Sequence, residues 1–144
     1  MALRIELKPG ERILIGDCVI TNSNQRARFL LEGRVPILRE KDIVTARQAD
    51  TPAKRVYLAV QLLYTSHDPR MHHETYFALV RDFVAAAPSA WPLIENINNQ
   101  ILSGDLYKAL KTTRKLIRFE QELLSHERSR PPLRKRGKAD LITA

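Results

Sequence analysis

Few side chains in this sequence are placed to do chemistry. His67, His72 and His73, with Asp68 and Glu74, form the one polar cluster that resembles a site. Adjacent residues on a helix point about 100° apart, so His72 and His73 cannot both face one metal without help from elsewhere. A solvated helix start is the expected reading. Cys18 has no histidine near it in sequence and reads as a half-buried strand thiol rather than a nucleophile. A single cysteine permits no internal disulfide and no cysteine-built zinc site, which points to a reducing, cytoplasmic setting. There is no phosphate-binding P-loop, no glycine-rich dinucleotide loop after a strand and no HExxH helix. No catalytic residue, metal or cofactor is expected, and the chain reads as a binding protein rather than an enzyme.

The cations are the stronger signal. The formal charge is +8, but residues 1–50 carry only +2 and residues 51–127 only +1, leaving +5 for residues 128–144. With so neutral a body, any folded anion site must be a local cluster on a mixed surface. One candidate is a stripe of Tyr107, Lys111, Arg114 and Arg118, spaced four, three and four residues apart. An aromatic beside guanidinium groups can stack on unpaired bases while the cations meet phosphate. The same stripe can dock an acidic partner helix, or be a solvated face opposite a core face. The last seventeen residues lack an apolar period and are expected to be a disordered basic tail, which either meets phosphates or only keeps the chain soluble.

The elements that must carry these residues fall into two parts. Leu3 to Lys8 alternates apolar and charged residues, setting Leu3, Ile5 and Leu7 on one face of a strand. Lys8-Pro9-Gly10-Glu11 predicts a type II turn, with Pro9 presetting φ and Gly10 accepting a positive one. Strands are expected around Ile13 and Ile15, from Arg26 to Phe29, and from Val35 to Leu38, with turns at Asn22–Asn24 and Glu32-Gly33. Short strands at this spacing predict a small antiparallel sheet. After Asp50 the period becomes helical. Thr51-Pro52 and Asp68-Pro69 are helix starts, Pro88 is a stop, and Ser89 is the expected cap of a third helix. The first helix is apolar almost all round and should be central or at an interface. Trp91, just before Pro92, is expected as a core anchor. The last helix should run from about Asp105 to His126. The prediction is an α+β chain: an antiparallel β domain over 1–47, four helices over 48–127, and the tail over 128–144. The opening Met1-Ala2-Leu3-Arg4 has no signal-peptide apolar core. The densest apolar stretch, Val56 to Leu63, is too short to span a bilayer, so no membrane association is expected.

Four blocks in order, LKPGE at 7–11, VPILREKDI at 35–43, DTPAKRVYLAVQLLY at 50–64 and YKALKTTRKLI at 107–117, resemble the FlbT family of alphaproteobacterial flagellum-biosynthesis regulators. That resemblance implies a post-transcriptional repressor. It would associate with the 5′ untranslated leader of flagellin mRNA, lower its translation or stability, and work with a companion regulator, FlaF. In some relatives the sign of regulation is reversed. A second resemblance covers the strand segment alone. GERILIGDCV at 10–19, Asn24-Gln25-Arg26 and ILREKDI at 37–43 are similar to CsrA, a β-sheet mRNA-binding regulator. It places Arg39 at that family's central arginine, with Leu38 where the family has histidine, and Leu7-Lys8 where it has two cations. CsrA forms a strand-exchanged dimer, so a homodimer is admitted, although the helices that follow here can cover the same edge. Together the resemblances make Arg4, Lys8, Arg26, Arg28 and Arg39 the expected RNA-binding residues, since unstacked bases are commonly read against sheets. The alternative is a protein-interaction adaptor acting through FlaF or flagellin.

Overall fold

The computed structural model describes residues 2–129. It is an α+β structure in which five strands precede four α-helices. The strands are β1 (Ala2–Leu7), β2 (Arg12–Ile15), β3 (Cys18–Thr21), β4 (Ala27–Glu32) and β5 (Ile37–Arg39). The helices are α1 (Pro52–Thr65), α2 (His73–Ala86), α3 (Trp91–Leu102) and α4 (Leu106–Ser129). Of the expected tail, residues 130–144 lie outside the described residues, and α4 runs through the first two positions assigned to it.

All strand pairing is antiparallel, in two small sheets: β1 with β4, and β3-β2-β5 with β2 in the centre. The predicted 8–11 turn forms, with Gly10 at φ 75° and the Glu11 N–H donating to the Lys8 carbonyl at 3.0 Å. Period-two alternation then sorts the side chains. On β1 and β4, Ile5 and Leu7 are buried with Phe29 and Leu31 against them, while Arg4 and Glu6 stand opposite Leu30 and Arg28 on the other face. Strand β2 is apolar on both faces because both are covered. Ile13 and Ile15 meet the β1–β4 pair together with Ile37, whereas Leu14 and Leu38 turn to the helices. The result is three layers: a two-stranded ribbon, a three-stranded sheet and a helical layer.

In the helical layer α1 is central, packed on both α4 and α2, with Val56, Ala59, Val60 and Leu63 buried as its apolar periphery requires. Thr51 caps it, its Oγ1 accepting the Lys54 N–H at 3.3 Å. Glu120, buried on α4, accepts the Ala53 N–H at 3.0 Å and sets a carboxylate at the positive end of α1. Gln61 on α1 pairs both ends of its amide with the Val44 backbone, fixing the segment that leaves the sheet.

Local expectations are corrected in four places. Trp91 is 46% exposed, because the first residue of α3 points outward and the small Ala90 before it takes the buried position. Ser89 does not cap α3; it lies within a 3-10 turn, Pro88–Ala90. The Asp68-Pro69 signal starts another 3-10 turn, Pro69–His72, and α2 begins only at His73. Cys18 is exposed on the edge strand β3, where all four residues face solvent. No helix among the described residues is long and apolar enough to cross a membrane.

Candidate nucleic-acid interface

Strand alternation and two turns bring the five expected strand cations, Arg4, Lys8, Arg26, Arg28 and Arg39, to the lining of one open cleft of about 820 Å³. Lys41 joins them, and among the described residues the carboxylates on its wall are Glu6 and Glu11. Arg4 and Arg28 come from paired β-strands, Lys8 and Arg26 from the ends of that pair, and Arg39 from β5 in the second sheet. Asn22 ties the ends together. Its Nδ2 donates to the Leu7, Lys8 and Gln25 carbonyls at 3.2, 2.8 and 2.8 Å, holding the backbone beside Lys8 and Arg26.

The cations are not equivalent. Glu6 accepts from Arg26 Nη1 at 3.0 Å and lies 3.7 Å from Arg28, so one carboxylate offsets part of two guanidiniums. Arg39 Nη2 donates to the Glu6 backbone carbonyl at 2.9 Å and lies 3.6 Å from Glu11, which ties β5 to β1 across the two sheets. Guanidinium has five N–H donors, so this anchoring leaves capacity for a ligand. The Glu11 carboxyl is held below the usual carboxylate range, chiefly by the Lys8 N–H it accepts at 2.8 Å and further by the Arg39 charge. Arg4, Lys8 and Lys41 make no side-chain ion pair among the described residues.

The α4 stripe lines a second, smaller cleft of about 430 Å³, with Tyr107, Lys111, Arg114 and Arg118 on its wall beside Lys115, Tyr57 and Lys41. Its members are also unequal. Arg114 Nη2 donates to the Lys41 carbonyl at 2.9 Å and pairs closely with the Asp42 carboxylate, and its guanidinium lies 5.7 Å from the Tyr57 ring. Arg114 is therefore a clamp between α4 and the Glu40–Asp42 3-10 turn. The Tyr57 hydroxyl donates to the Asp42 carbonyl, and burial pushes its pKa up. Lys111 sits 4.9 Å over the Tyr107 ring, and Tyr64 packs at 5.8 Å from the same ring. A base stacking on the ring face under Lys111 would have to displace it.

Among the described residues the histidines do not assemble a metal site. His67 stands 3.5 Å from Asp17, and His73 lies edge-on to Phe77. Sequence reasoning missed Lys41, Asn22 and the two cleft carboxylates. Lys41 could have been found, since it stands two residues after Arg39 in the same ILREKDI block. Asn22 could not, because its three acceptors come together only in the folded turn pair.

The fold and this surface define an α+β protein with an open cationic cleft on its strand layer. The chain belongs to the FlbT family: the family model described as "Flagellar protein FlbT" matches residues 3–124. It is 59% identical over 145 residues, 100% of this chain and 99% of the relative, to "Probable flagellum biosynthesis repressor protein FlbT 1" of Bradyrhizobium diazoefficiens. It is 53% identical over 125 residues, 87% of this chain and 99% of the relative, to "Probable flagellum biosynthesis repressor protein FlbT" of Rhodopseudomonas palustris. It is 31% identical over 129 residues, 88% of this chain and 92% of the relative, to "Flagellum biosynthesis repressor protein FlbT" of Caulobacter vibrioides. No solved structure matches the chain.

Proposed function

We propose that this protein is a cytoplasmic post-transcriptional repressor of flagellum biogenesis, which binds the 5′ untranslated leader of flagellin mRNA in the strand cleft. The flagellar context comes from the family and from the printed names of its relatives. The observation that carries the RNA reading is the cleft itself. Six cations from separate segments of the strand layer line one open groove against two carboxylates, one of which is already shared between two arginines. An extended single strand suits such a groove: phosphates meet the cations while unstacked bases lie against strand side chains. Repression is then physical, by occluding the ribosome site or exposing the message to ribonuclease, and no bond-making step is asked of the protein.

Fluorescence anisotropy with purified protein and a labelled flagellin leader, with and without FlaF, tests this. Binding without FlaF is expected, and Arg39→Ala should weaken it by about 1–3 kcal/mol if the guanidinium reaches a base. Binding only in the presence of FlaF would overturn direct recognition. It would favour a second reading, a protein-interaction adaptor. That reading has its own observation. Near the far end of α4, Leu123 and Leu124 are 38% and 45% exposed. They line an apolar groove of about 280 Å³ with Leu79 and Phe83 of α2.

A further inference from the structure

The strand cleft and the α4 cleft share one wall residue, Lys41, in the 3-10 turn that directly follows Arg39. This turn is fixed at both ends. Arg39, just before it, is anchored to the β1 backbone, and Arg114 holds the Lys41 carbonyl and the Asp42 carboxylate from α4. Asp42, among the described residues the one carboxylate on the wall of the α4 cleft, is thus consumed by the clamp. Lys111, Lys115 and Arg118 remain on the same wall with no ion pair among the described residues. They follow one another at four and three residues along α4, a rise of about 10 Å.

We infer that the two clefts are one binding track, along which a single RNA strand runs from the strand cleft over Lys41 to the α4 face. This rests on the RNA reading above and extends it. The strand cleft holds a short segment by itself, and the α4 cations add phosphate contacts only when the strand is long enough to pass Lys41. Arg114 sets the spacing of the two clefts and is not the phosphate contact that its position in the stripe suggests. An acidic protein helix on α4 is the competing occupant. It would leave RNA affinity independent of length beyond the strand cleft.

The test is binding of fluorescein-labelled oligouridylates of about 5 and about 14 nucleotides, lengths near the two ends of the range for single-strand sites. The wild-type protein is compared with Lys111→Ala/Lys115→Ala/Arg118→Ala and with Lys41→Ala. For wild type, the longer strand should bind about tenfold more tightly, with a salt slope steeper by about 2, three phosphates at roughly 0.7 each. The triple variant should bind the short strand as wild type does and lose the gain with length. Lys41→Ala should weaken both lengths. A wild-type protein with no gain from length overturns the track, and so does a triple variant that keeps the gain. Failure of the wild-type protein to bind either length also overturns the track, whereas failure to bind the labelled leader removes the RNA reading itself.

Discussion

The two cationic clefts differ in how they are built. The α4 face draws nearly all its cations from one helix, so local periodicity alone aligns them. The strand cleft draws on β1, β4, β5 and two turns, and it exists only once two sheets are stacked and Asn22 has joined their turns. Its charges are also moderated differently: Glu6 and Glu11 sit among the arginines, whereas on α4 one carboxylate, Asp42, is bound by one arginine. In each cleft one guanidinium is structural first. Arg39 donates to the Glu6 carbonyl and joins β5 to β1 in the other sheet, and Arg114 donates to the Lys41 carbonyl and joins α4 to the 3-10 turn after β5. Ligand contact in either cleft falls more freely to cations without such duties, Arg4, Lys8 and Lys41 on one side and Lys115 and Arg118 on the other.

The largest expected effect is loss of the scaffold that both clefts share. Leu38 belongs to the strand layer yet lies buried in the helical core, so Leu38→Ala should cost about 2–4 kcal/mol. Urea unfolding followed by circular dichroism and by Trp91 fluorescence should give one shared transition at a lower midpoint. Two separated transitions would mean that the clefts ride on independent units. A smaller effect should come from Arg114→Ala. With Asp42 mostly covered and Arg114 about 40% exposed, the lost charge-assisted bonds should cost about 1–2 kcal/mol after allowance for solvent screening. Amide exchange should quicken at Ile43, whose N–H closes the Glu40–Asp42 turn, while the β1 amides stay protected. Unchanged exchange at Ile43 would remove the clamp.

The smallest effect concerns Glu11. Its carboxyl is depressed in the fold, so its stabilising contribution is present above the ordinary carboxylate range and is lost as pH falls through the folded value. The stability difference between wild type and Glu11→Gln should be constant near neutral pH and shrink on acidification. A difference that grows on acidification would contradict the assigned direction.

Much of this was legible in the sequence, and the limits have physical causes. The Pro9-Gly10 turn and the Thr51-Pro52 helix start are local signals and survive folding unchanged, whereas the alternation of β1 buries Ile5 and Leu7 but leaves Leu3 exposed at the start of the strand. The α4 stripe follows from the helical period, but the diversion of Arg114 does not, because Asp42 lies 72 residues away. Likewise, Leu14 beside Ile13 and Ile15 breaks simple alternation, and only the three-layer stacking gives it a reason. Trp91, expected as a core anchor, is exposed because its place at the first turn of α3 turns it outward. The five strand cations could be named from resemblance, but their convergence on a single cleft required the sheet registers.

Photocrosslinking tests directly whether the strand cleft holds the message. A flagellin leader carrying 4-thiouridine would be irradiated with the purified protein and the adducts mapped by mass spectrometry. Adducts are expected in peptides covering residues 2–12 and 26–41, with those on α4 appearing only for leaders long enough to pass Lys41. Adducts confined to residues 66–102, or crosslinks that form only through FlaF, would contradict it.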